Sequence, residues 1–177
     1  MVKRVVWGMI ILLLVIAGCA AQKIYTSTPA VQTVTTSLFK VTLEPLRAEG
    51  YSYYNRFRYE FTNQTNANLV IDWSETFYLR NGKRYGNFGW EGLTFEELRG
   101  LSEEPDVTIA PGQTNAIEIF PIQLIGWREE GVRMKATTPE AGFNLTPLPE
   151  GENGMSIAVL KDGKVLRKNI LIKITLD

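Results

Sequence analysis

The sequence contains no histidine, and its only cysteine is Cys19. Serine and cysteine nucleophiles that depend on an imidazole base are therefore excluded, as are zinc and copper sites with histidine ligands. With one cysteine the chain cannot form an internal disulfide bond, so its stability must come from an apolar core. It also lacks the glycine motifs that bind phosphates or dinucleotides and the Gly-x-Ser-x-Gly motif of hydrolases. We therefore expect no cofactor, no metal centre and no enzymatic activity.

The charge of the chain shows no excess of either sign, with 19 Lys and Arg residues against 19 Asp and Glu residues. Proteins that bind nucleic acid normally carry a basic excess or a basic stripe that contacts the phosphates. The sequence has neither, so we expect no nucleic-acid partner.

The apolar run near the N terminus is short. It covers residues 5–17, follows Lys3 and Arg4, and includes Gly8. A helix that crosses a bilayer needs about 20 apolar residues, so a membrane span is the weaker interpretation of this run. A basic start, a short apolar stretch and small residues after it are typical of an export signal.

The string Ile16-Ala17-Gly18-Cys19 ends this signal and resembles the lipobox of bacterial lipoproteins. In that family the thiol receives a diacylglycerol, and a peptidase cuts the chain before the cysteine. The resemblance implies that residues 1–18 form a signal peptide and that lipid on Cys19 holds the protein on a membrane. Two or three acyl chains anchor stably, since each buried methylene contributes about 0.8 kcal/mol. The alternative is a simple signal peptide in which Cys19 is an ordinary small residue.

The residues after Cys19 indicate which membrane carries the anchor. In lipoproteins of bacteria with two membranes, an aspartate at this place tends to retain the protein at the inner membrane. Here Ala20 and Ala21 follow instead. The resemblance therefore implies a lipid-anchored location in the cell envelope, at the outer membrane.

The rest of the chain divides into a tether over residues 19–37 and one domain over residues 38–177. The tether is poor in charge, rich in Thr, Ser, Ala and Gln, and contains Pro29. Alternatively, residues 31–36 add a first strand to the domain, because Val and Thr favour strands. Removal of residues 1–18 leaves 159 of 177 residues, which suits a single domain.

From Leu38 onward the sequence alternates apolar and polar residues, which predicts strands with one buried face. The clearest example sets Phe57, Tyr59 and Phe61 against Arg58 and Glu60. Repeated runs of this kind, with turn residues between them and little helical periodicity, predict an all-β, antiparallel sandwich.

Three hairpins are predicted from the turn residues. The polar residues 62–66 separate the strand over residues 56–61 from a strand over residues 68–73. Asn81-Gly82 predicts a tight turn because both residues tolerate positive φ, and Asp162-Gly163 separates the last two strands.

One long insertion loop is predicted over residues 86–106. Within it, Thr94 and Glu97 have the spacing of a capping box, and Gly100 is placed where a short helix would end. Loops of this length are usually functional or disordered.

Three segments together resemble the immunoglobulin-like domains of bacterial envelope lipoproteins. They are the aromatic strand that ends in Asn63-Gln64-Thr65, the strand that leads to Gly82, and the Pro111-Gly112 turn before the next strand. The resemblance covers roughly residues 38–121. It implies an immunoglobulin-like fold and transfers no active residues.

A dense set of aromatic residues between Trp73 and Trp90 is interleaved with Arg, Lys and Asn, and Phe95 adds a further ring in the insertion over residues 86–106. Aromatic rings beside polar edges suit stacking on a sugar or a peptide, and tryptophan is enriched at binding hot spots. The candidate binding residues are Trp90, Phe88, Tyr85, Phe95 and Trp73. In the alternative interpretation, Trp73 and Trp90 fill the core together with Phe77.

The function that these observations favour is a lipid-anchored, non-enzymatic binding or scaffolding domain that contacts an envelope protein. The alternative is a carbohydrate-binding surface module with a glycan partner. A glycan hydrolase that uses a carboxylate pair is a third hypothesis, since Asp72, Glu75 and Glu91 are among the acids that could form one. Calcium at the acidic residues 103–106 is a further hypothesis, because calcium prefers oxygen ligands.

Overall fold

The computed structural model describes residues 24–100, 106–128 and 142–177. Within these residues the chain forms fourteen strands, one α-helix and one 3-10 turn. The elements are β1 (Tyr25–Thr28), β2 (Gln32–Thr35), β3 (Phe39–Arg47), β4 (Tyr54–Asn63), β5 (Leu69–Ile71), β6 (Phe77–Arg80), β7 (Lys83–Gly86), β8 (Phe88–Trp90), α1 (Phe95–Gly100), β9 (Val107–Ile109), β10 (Thr114–Pro121), the 3-10 turn Ile122–Leu124, β11 (Ile125–Arg128), β12 (Gly142–Leu145), β13 (Gly151–Lys161) and β14 (Lys164–Leu176). No helix in these three ranges is long and apolar enough to cross a membrane.

The strands form three antiparallel sheets. Sheet 1 has the order β1-β14-β13-β5-β9, with β6 also paired to β13 and β7 paired to β6. Sheet 2 has the order β2-β3-β4-β10-β8, and sheet 3 pairs β11 with β12. Buried residues from sheets 1 and 2 form one hydrophobic cluster, which we call the main core. The all-β, antiparallel, sandwich-like fold predicted from the sequence is confirmed.

The period-two pattern explains how the main core is built. In β4 the side chains of Phe57, Tyr59 and Phe61 are fully buried, while those of Arg58 and Glu60 on the other face are exposed. Strand β14 behaves in the same way, with its isoleucines at 170, 172 and 174 buried. Because successive strand residues point to opposite faces, each of these sequences can cover one side of a shared core.

Two of the three predicted hairpins are confirmed. Strands β6 and β7 are joined by Asn81 and Gly82, with φ angles of 49° and 71°. Strands β13 and β14 are joined by Asp162 and Gly163, with φ angles of 51° and 73°. Positive φ at both central residues matches the right-handed twist of the paired strands.

The third predicted hairpin is wrong, because β4 and β5 lie in different sheets. Strand β4 pairs with β3 and β10, whereas β5 pairs with β9 and β13. The chain crosses between the sheets at Asn63, whose buried amide nitrogen donates to the carbonyls of Ala67 (2.8 Å) and Ile109 (2.9 Å). Its side-chain oxygen accepts from the Thr65 amide at 2.9 Å. These bonds provide partners for the buried side-chain amide of Asn63 and for the backbone groups around it, as buried polar groups require.

The predicted tether over residues 19–37 is also wrong for the part that the structure describes. Strand β1 pairs with β14 in sheet 1, and β2 pairs with β3 in sheet 2. The alternative of a strand within residues 31–36 is the one that the structure supports, although this strand, β2, is preceded by β1 and is not the first. The backbone N–H and C=O groups of these Thr-rich residues form hydrogen bonds with β14 and β3, so the segment is part of the domain.

The described residues of the predicted insertion loop over residues 86–106 include a strand, β8, and a helix, α1. Strand β8 is an edge strand of sheet 2 and pairs with the end of β10. The capping box before α1 is confirmed, since the Thr94 amide donates to Glu97 at 2.8 Å and the Glu97 amide donates to the Thr94 hydroxyl at 3.3 Å. The hydrogen bond from the Thr94 amide lowers the pKa of the Glu97 carboxyl, and the bond from the Thr94 hydroxyl lowers it further by a smaller amount. Residues 101–105 lie outside the described part of the chain.

Candidate functional site

The five predicted binding residues do not form one surface. Trp73 and Phe88 are buried in the main core, where the rings of Trp73 and Tyr59 lie 5.7 Å apart. Tyr85 on β7 is 43% exposed, and Trp90 at the end of β8 is partly buried. Phe95 begins α1, and its side chain lies outside the described part of the structure. The assignment of Trp73 and Phe88 to a binding surface is therefore corrected.

The burial of Trp73 follows from the path of the chain between β5 and β6. Both strands lie along the same edge of β13, and the segment between them stays attached to that edge. The Asp72 amide donates to Ala158 at 3.0 Å, and the Ala158 amide donates to the hydroxyl of Thr76 at 3.1 Å. The segment therefore cannot swing outward, and its tryptophan stays over the main core.

The arginines interleaved with the predicted aromatic residues are used within the protein. Arg84 and Arg167 lie over the ring of Phe77, at 4.6 and 5.1 Å from its centre, and Arg80 lies 5.4 Å from the ring centre of Tyr85. Such cation–π contacts hold both partners on the surface of a sheet. The pattern that predicted a ligand surface is thus explained here by contacts inside the chain.

A second, smaller hydrophobic cluster lies on the outer face of sheet 2. Its buried members are Leu98 of α1, Phe120 of β10 and Ile125 of β11. Phe120 follows the main-core residue Ile119 in β10 and so points to the opposite face. Partly buried residues complete this group, which we call the outer cluster: Leu93, Ile122, Phe143 and Leu145.

Close packing of the outer cluster depends on Gly89 in β8. A Cβ atom at this position would lie 2.7 Å from the ring of Phe120 and 3.1 Å from a methyl group of Leu98. Only glycine leaves room for both side chains at these distances. Helix α1 and sheet 3 can therefore pack on the end of sheet 2, where Phe143 and Leu145 of sheet 3 form one wall of a cleft.

This cleft, which we call the Trp90 cleft, has a volume of about 240 Å³. It combines an apolar wall with charged groups. Its lining residues are Arg56, Trp90, Glu91, Gly92, Glu118, Phe120, Phe143 and Leu145. Of the predicted binding residues with described side chains, Trp90 alone lines it. A half-buried tryptophan beside an arginine and a carboxylate can provide an apolar contact and a fixed polar direction for a ligand.

The charged side of the cleft is held in place by ion pairs across three strands. Arg56 Nε lies 2.6 Å from Glu118 Oε2, and Arg58 Nη2 lies 3.8 Å from Glu118 Oε1. Arg58 also lies 3.5 Å from Glu44 on the neighbouring strand. Each carboxylate pairs with an arginine directly or diagonally across the sheet, as favourable cross-strand pairs do. Glu118 is therefore oriented before any ligand arrives.

The acids considered for a carboxylate pair have different roles. Asp72 accepts from the Ser74 hydroxyl at 2.7 Å and closes a turn, and Glu75 pairs with Arg167 at 2.7 Å. Glu91 lines the Trp90 cleft. The residues proposed for calcium include 103–105, which lie outside the described residues. Elsewhere in the described ranges, no three His, Cys, Asp or Glu side chains come close enough together to hold a metal ion.

Cys19, the predicted lipidation site, also lies outside the described residues. Comparison of the chain with protein-family models, with curated proteins and with solved structures finds no match. The function must therefore be argued from the residues and geometry of this chain.

Sequence reasoning missed most of the cleft. Arg56 and Glu118 appear in the sequence as ordinary solvent-facing residues of strands, and only the fold places them side by side. Phe120 carried a usable signal, because it adds an apolar residue on the polar face of β10 directly after Ile119. Phe143 carried none, since its contact with Phe120, with ring centres 5.9 Å apart, depends on the packing of sheet 3.

Proposed function

We propose that this chain is a lipid-anchored, non-enzymatic binding domain of the bacterial cell envelope that holds a protein partner at the outer membrane. The lipobox-like string that ends at Cys19 supports the anchor, and Ala20 and Ala21 support the outer membrane. The absence of histidine from the sequence supports a role without catalysis.

We also propose an immunoglobulin-like sandwich as the finer description of the fold. The turns at Asn63 and Gly112 support it, because both lie at the corner where the chain passes between the sheets. The Gly112 amide donates to the Asn63 carbonyl, and the Asn63 amide donates to the Gln113 carbonyl, each at 3.0 Å.

The Trp90 cleft is the observation that carries the binding proposal. Its wall of Trp90, Phe120, Phe143 and Leu145 offers apolar area, and the Arg56–Glu118 pair offers a charged edge. A partner could place an apolar side chain against the apolar wall and an adjacent polar group beside the Arg56–Glu118 pair. Aromatic residues at the centre of such contacts often dominate the binding free energy.

The first experiment tests the anchor. We expect Cys19→Ser to abolish membrane partitioning and to let the precursor accumulate, because no thiol then accepts the lipid. Membrane flotation and mass spectrometry of the mature N terminus measure this. An unmodified Cys19 in mature wild-type protein would contradict the anchor.

The second experiment tests the cleft in the full chain, in the bacterium that encodes it. A photo-reactive amino acid at Glu91 should give a defined crosslinked protein, whereas the same group at Lys83, which is exposed on β7, should not. Adding Trp90→Ala should weaken the association by about 2 kcal/mol, or roughly 30-fold in Kd.

The glycan alternative predicts a different pattern for the same variants. The chain would then sediment with cell-wall glycan in a Trp90-dependent way, and no protein would crosslink at Glu91. That result would replace the protein partner with a carbohydrate. A crosslink at Lys83 and none at Glu91 would move the binding surface away from the Trp90 cleft.

A further inference from the structure

The described chain begins at one end of the sandwich, beside its own C terminus. The Ile24 amide donates to the Asp177 carbonyl, and the Asp177 amide donates to the Ile24 carbonyl, both at 3.0 Å. The side chain of Ile24 is 51% exposed. The place where the chain leaves towards Cys19 is therefore fixed to the end of sheet 1 by two backbone hydrogen bonds.

Three tyrosines lie at this exit, and we call them the tyrosine cluster: Tyr25, Tyr51 and Tyr53. The ring centres of Tyr25 and Tyr53 are 6.4 Å apart, and those of Tyr53 and Tyr51 are 5.1 Å apart. Tyr51 is 64% exposed, the largest exposure recorded among the big apolar side chains of the described residues. Tyr25 and Tyr53 are half-buried, so Tyr51 extends from a partly buried aromatic base into solvent, as an apolar contact surface would.

Arg47 holds this row together. Its guanidinium donates to the Tyr25 carbonyl at 2.8 Å and to the Ser52 carbonyl, and it lies 4.6 Å from the ring centre of Tyr54. The loop after β3 is thereby fixed against β1. The backbone segments that carry the tyrosine cluster are therefore held together at this end of the domain.

The short chain between Cys19 and Ile24 places this surface close to any lipid on Cys19. Five residues span at most about 17 Å when fully extended. The headgroup layer of one leaflet is itself roughly 5 to 8 Å thick, so crossing it uses up to about half of that length and leaves Ile24 at most roughly 12 Å beyond the layer. Because Ile24 is attached to sheet 1, the whole end of the domain must stay near the membrane.

We propose that the tyrosine cluster and Ile24 form a membrane-facing surface that rests in the headgroup layer of the lipid that carries the anchor. Tyrosine is enriched at this depth because its ring is apolar and its hydroxyl is polar. The charges next to this surface in the sequence balance, with Lys23 and Arg47 against Glu49 and Asp177, so the contact is aromatic and depends little on anionic lipid. This inference rests on the proposed anchor at Cys19.

The test uses the full lipidated chain in phosphatidylcholine vesicles. Since Cys19 is acylated, Glu49→Cys adds the only free thiol, next to an intact tyrosine cluster, and takes an environment-sensitive dye. Lys164→Cys is the matched control, because residue 164 lies at the other end of β14, about 40 Å away along the strand. Spin-labelled lipid headgroups should quench the dye at residue 49 several-fold more than at residue 164. Tyr51→Ser should reduce this ratio.

The outcomes separate this inference from the anchor. A chain that floats with the vesicles but shows equal quenching at residues 49 and 164 overturns the membrane-facing surface alone. A chain that does not float, with a Cys19 thiol that can be alkylated, overturns the anchor and this inference with it. If protection of residue 49 from aqueous iodide rises with protein density and lipid probes do not quench it, the partner is a second copy and the lipid contact is wrong.

Discussion

The main core and the outer cluster are built from the same kinds of residue but differ in what supports them. The main core lies between two large sheets and includes residues from β3 to β14. The outer cluster buries three side chains, on one face of sheet 2, under the six-residue helix α1 and the two-stranded sheet 3. Segments with few buried contacts open locally at a lower free energy than the strands of a large core.

Because of this difference, the two regions contribute to different properties of the domain. The main core sets the free energy of unfolding of the whole domain. Three members of the outer cluster, Phe120, Phe143 and Leu145, line the Trp90 cleft, so local opening of the cluster changes the cleft without unfolding the two large sheets. A partner that binds in the cleft would stabilise the outer cluster first, because binding favours the state to which the partner binds.

The largest effect is expected in the main core, at Phe61. Its side chain is fully buried and its ring centre lies 5.0 Å from that of Phe39. Phe61→Ala should lower the free energy of unfolding by about 3 to 5 kcal/mol, since it leaves a cavity between the sheets. Arg58→Ala, on the exposed face of the same strand, should cost less than about 1 kcal/mol. Urea denaturation that ranks these two variants in the opposite order would show that the faces of β4 are misassigned.

The next effect is expected at the corner that joins the two sheets. Asn63→Ala removes hydrogen bonds to the carbonyls of Ala67 and Ile109 and to the Thr65 amide. A cost of about 2 to 3 kcal/mol is expected, because buried backbone groups lose their partners. Asn66→Ala is the control, since Asn66 lies in the same turn and is exposed. Equal losses of stability for the two variants would show that the hydrogen bonds of Asn63 do not help to hold the two sheets together.

A smaller effect with a different distribution is expected in the outer cluster. Leu98→Ala should cost about 2 kcal/mol or less, at or below the low end for a buried leucine, because the small cluster can collapse around the gap. Amide hydrogen exchange should become faster in α1, β11 and β12, while β13 and β14 stay protected. Uniformly faster exchange throughout both large sheets would show that the two regions unfold together, which would break the comparison.

The smallest effect, of opposite sign, is expected at Tyr59 in the main core. Its buried hydroxyl has no hydrogen-bond partner among the described residues. Tyr59→Phe should therefore leave stability unchanged or raise it by up to about 1 kcal/mol. A loss of more than about 1 kcal/mol in thermal or urea denaturation would mean that the hydroxyl makes a stabilising contact.

The same variant should also respond differently to alkali. Burial raises the pKa of Tyr59 well above its ordinary value of 10.0, so the folded protein keeps this phenol protonated. The resulting stability is complete below pH about 10 and is lost as the pH rises from there towards the folded-state pKa. Tyr59→Phe should lessen the loss of stability above pH 10. Tyr78, whose pKa burial also raises, should keep part of that loss in the variant.

Local alternation was enough to predict the strands, because each strand covers one core with one face. It could not predict which strands pair. Residues 62–66 look like a hairpin turn in sequence, but Asn63 binds Ile109, which is 46 residues away, and this contact turns the chain into the other sheet. The site was predicted only at Trp90. Its other walls come from Phe120, Phe143 and Arg56, which distant parts of the chain bring together.

The pairing of Ile24 with Asp177 also determines how the domain carries mechanical load. Strand β1 runs antiparallel to β14, with four residue pairs between Tyr25 and Thr28. A pulling force that enters at Ile24 and leaves through the far end of the sandwich acts along these strands. All the hydrogen bonds between β1 and β14 then resist together in shear, whereas a force across the strands would break them one at a time. The N-terminal strand β1 can thus transmit tension to the domain without being peeled from the edge of sheet 1.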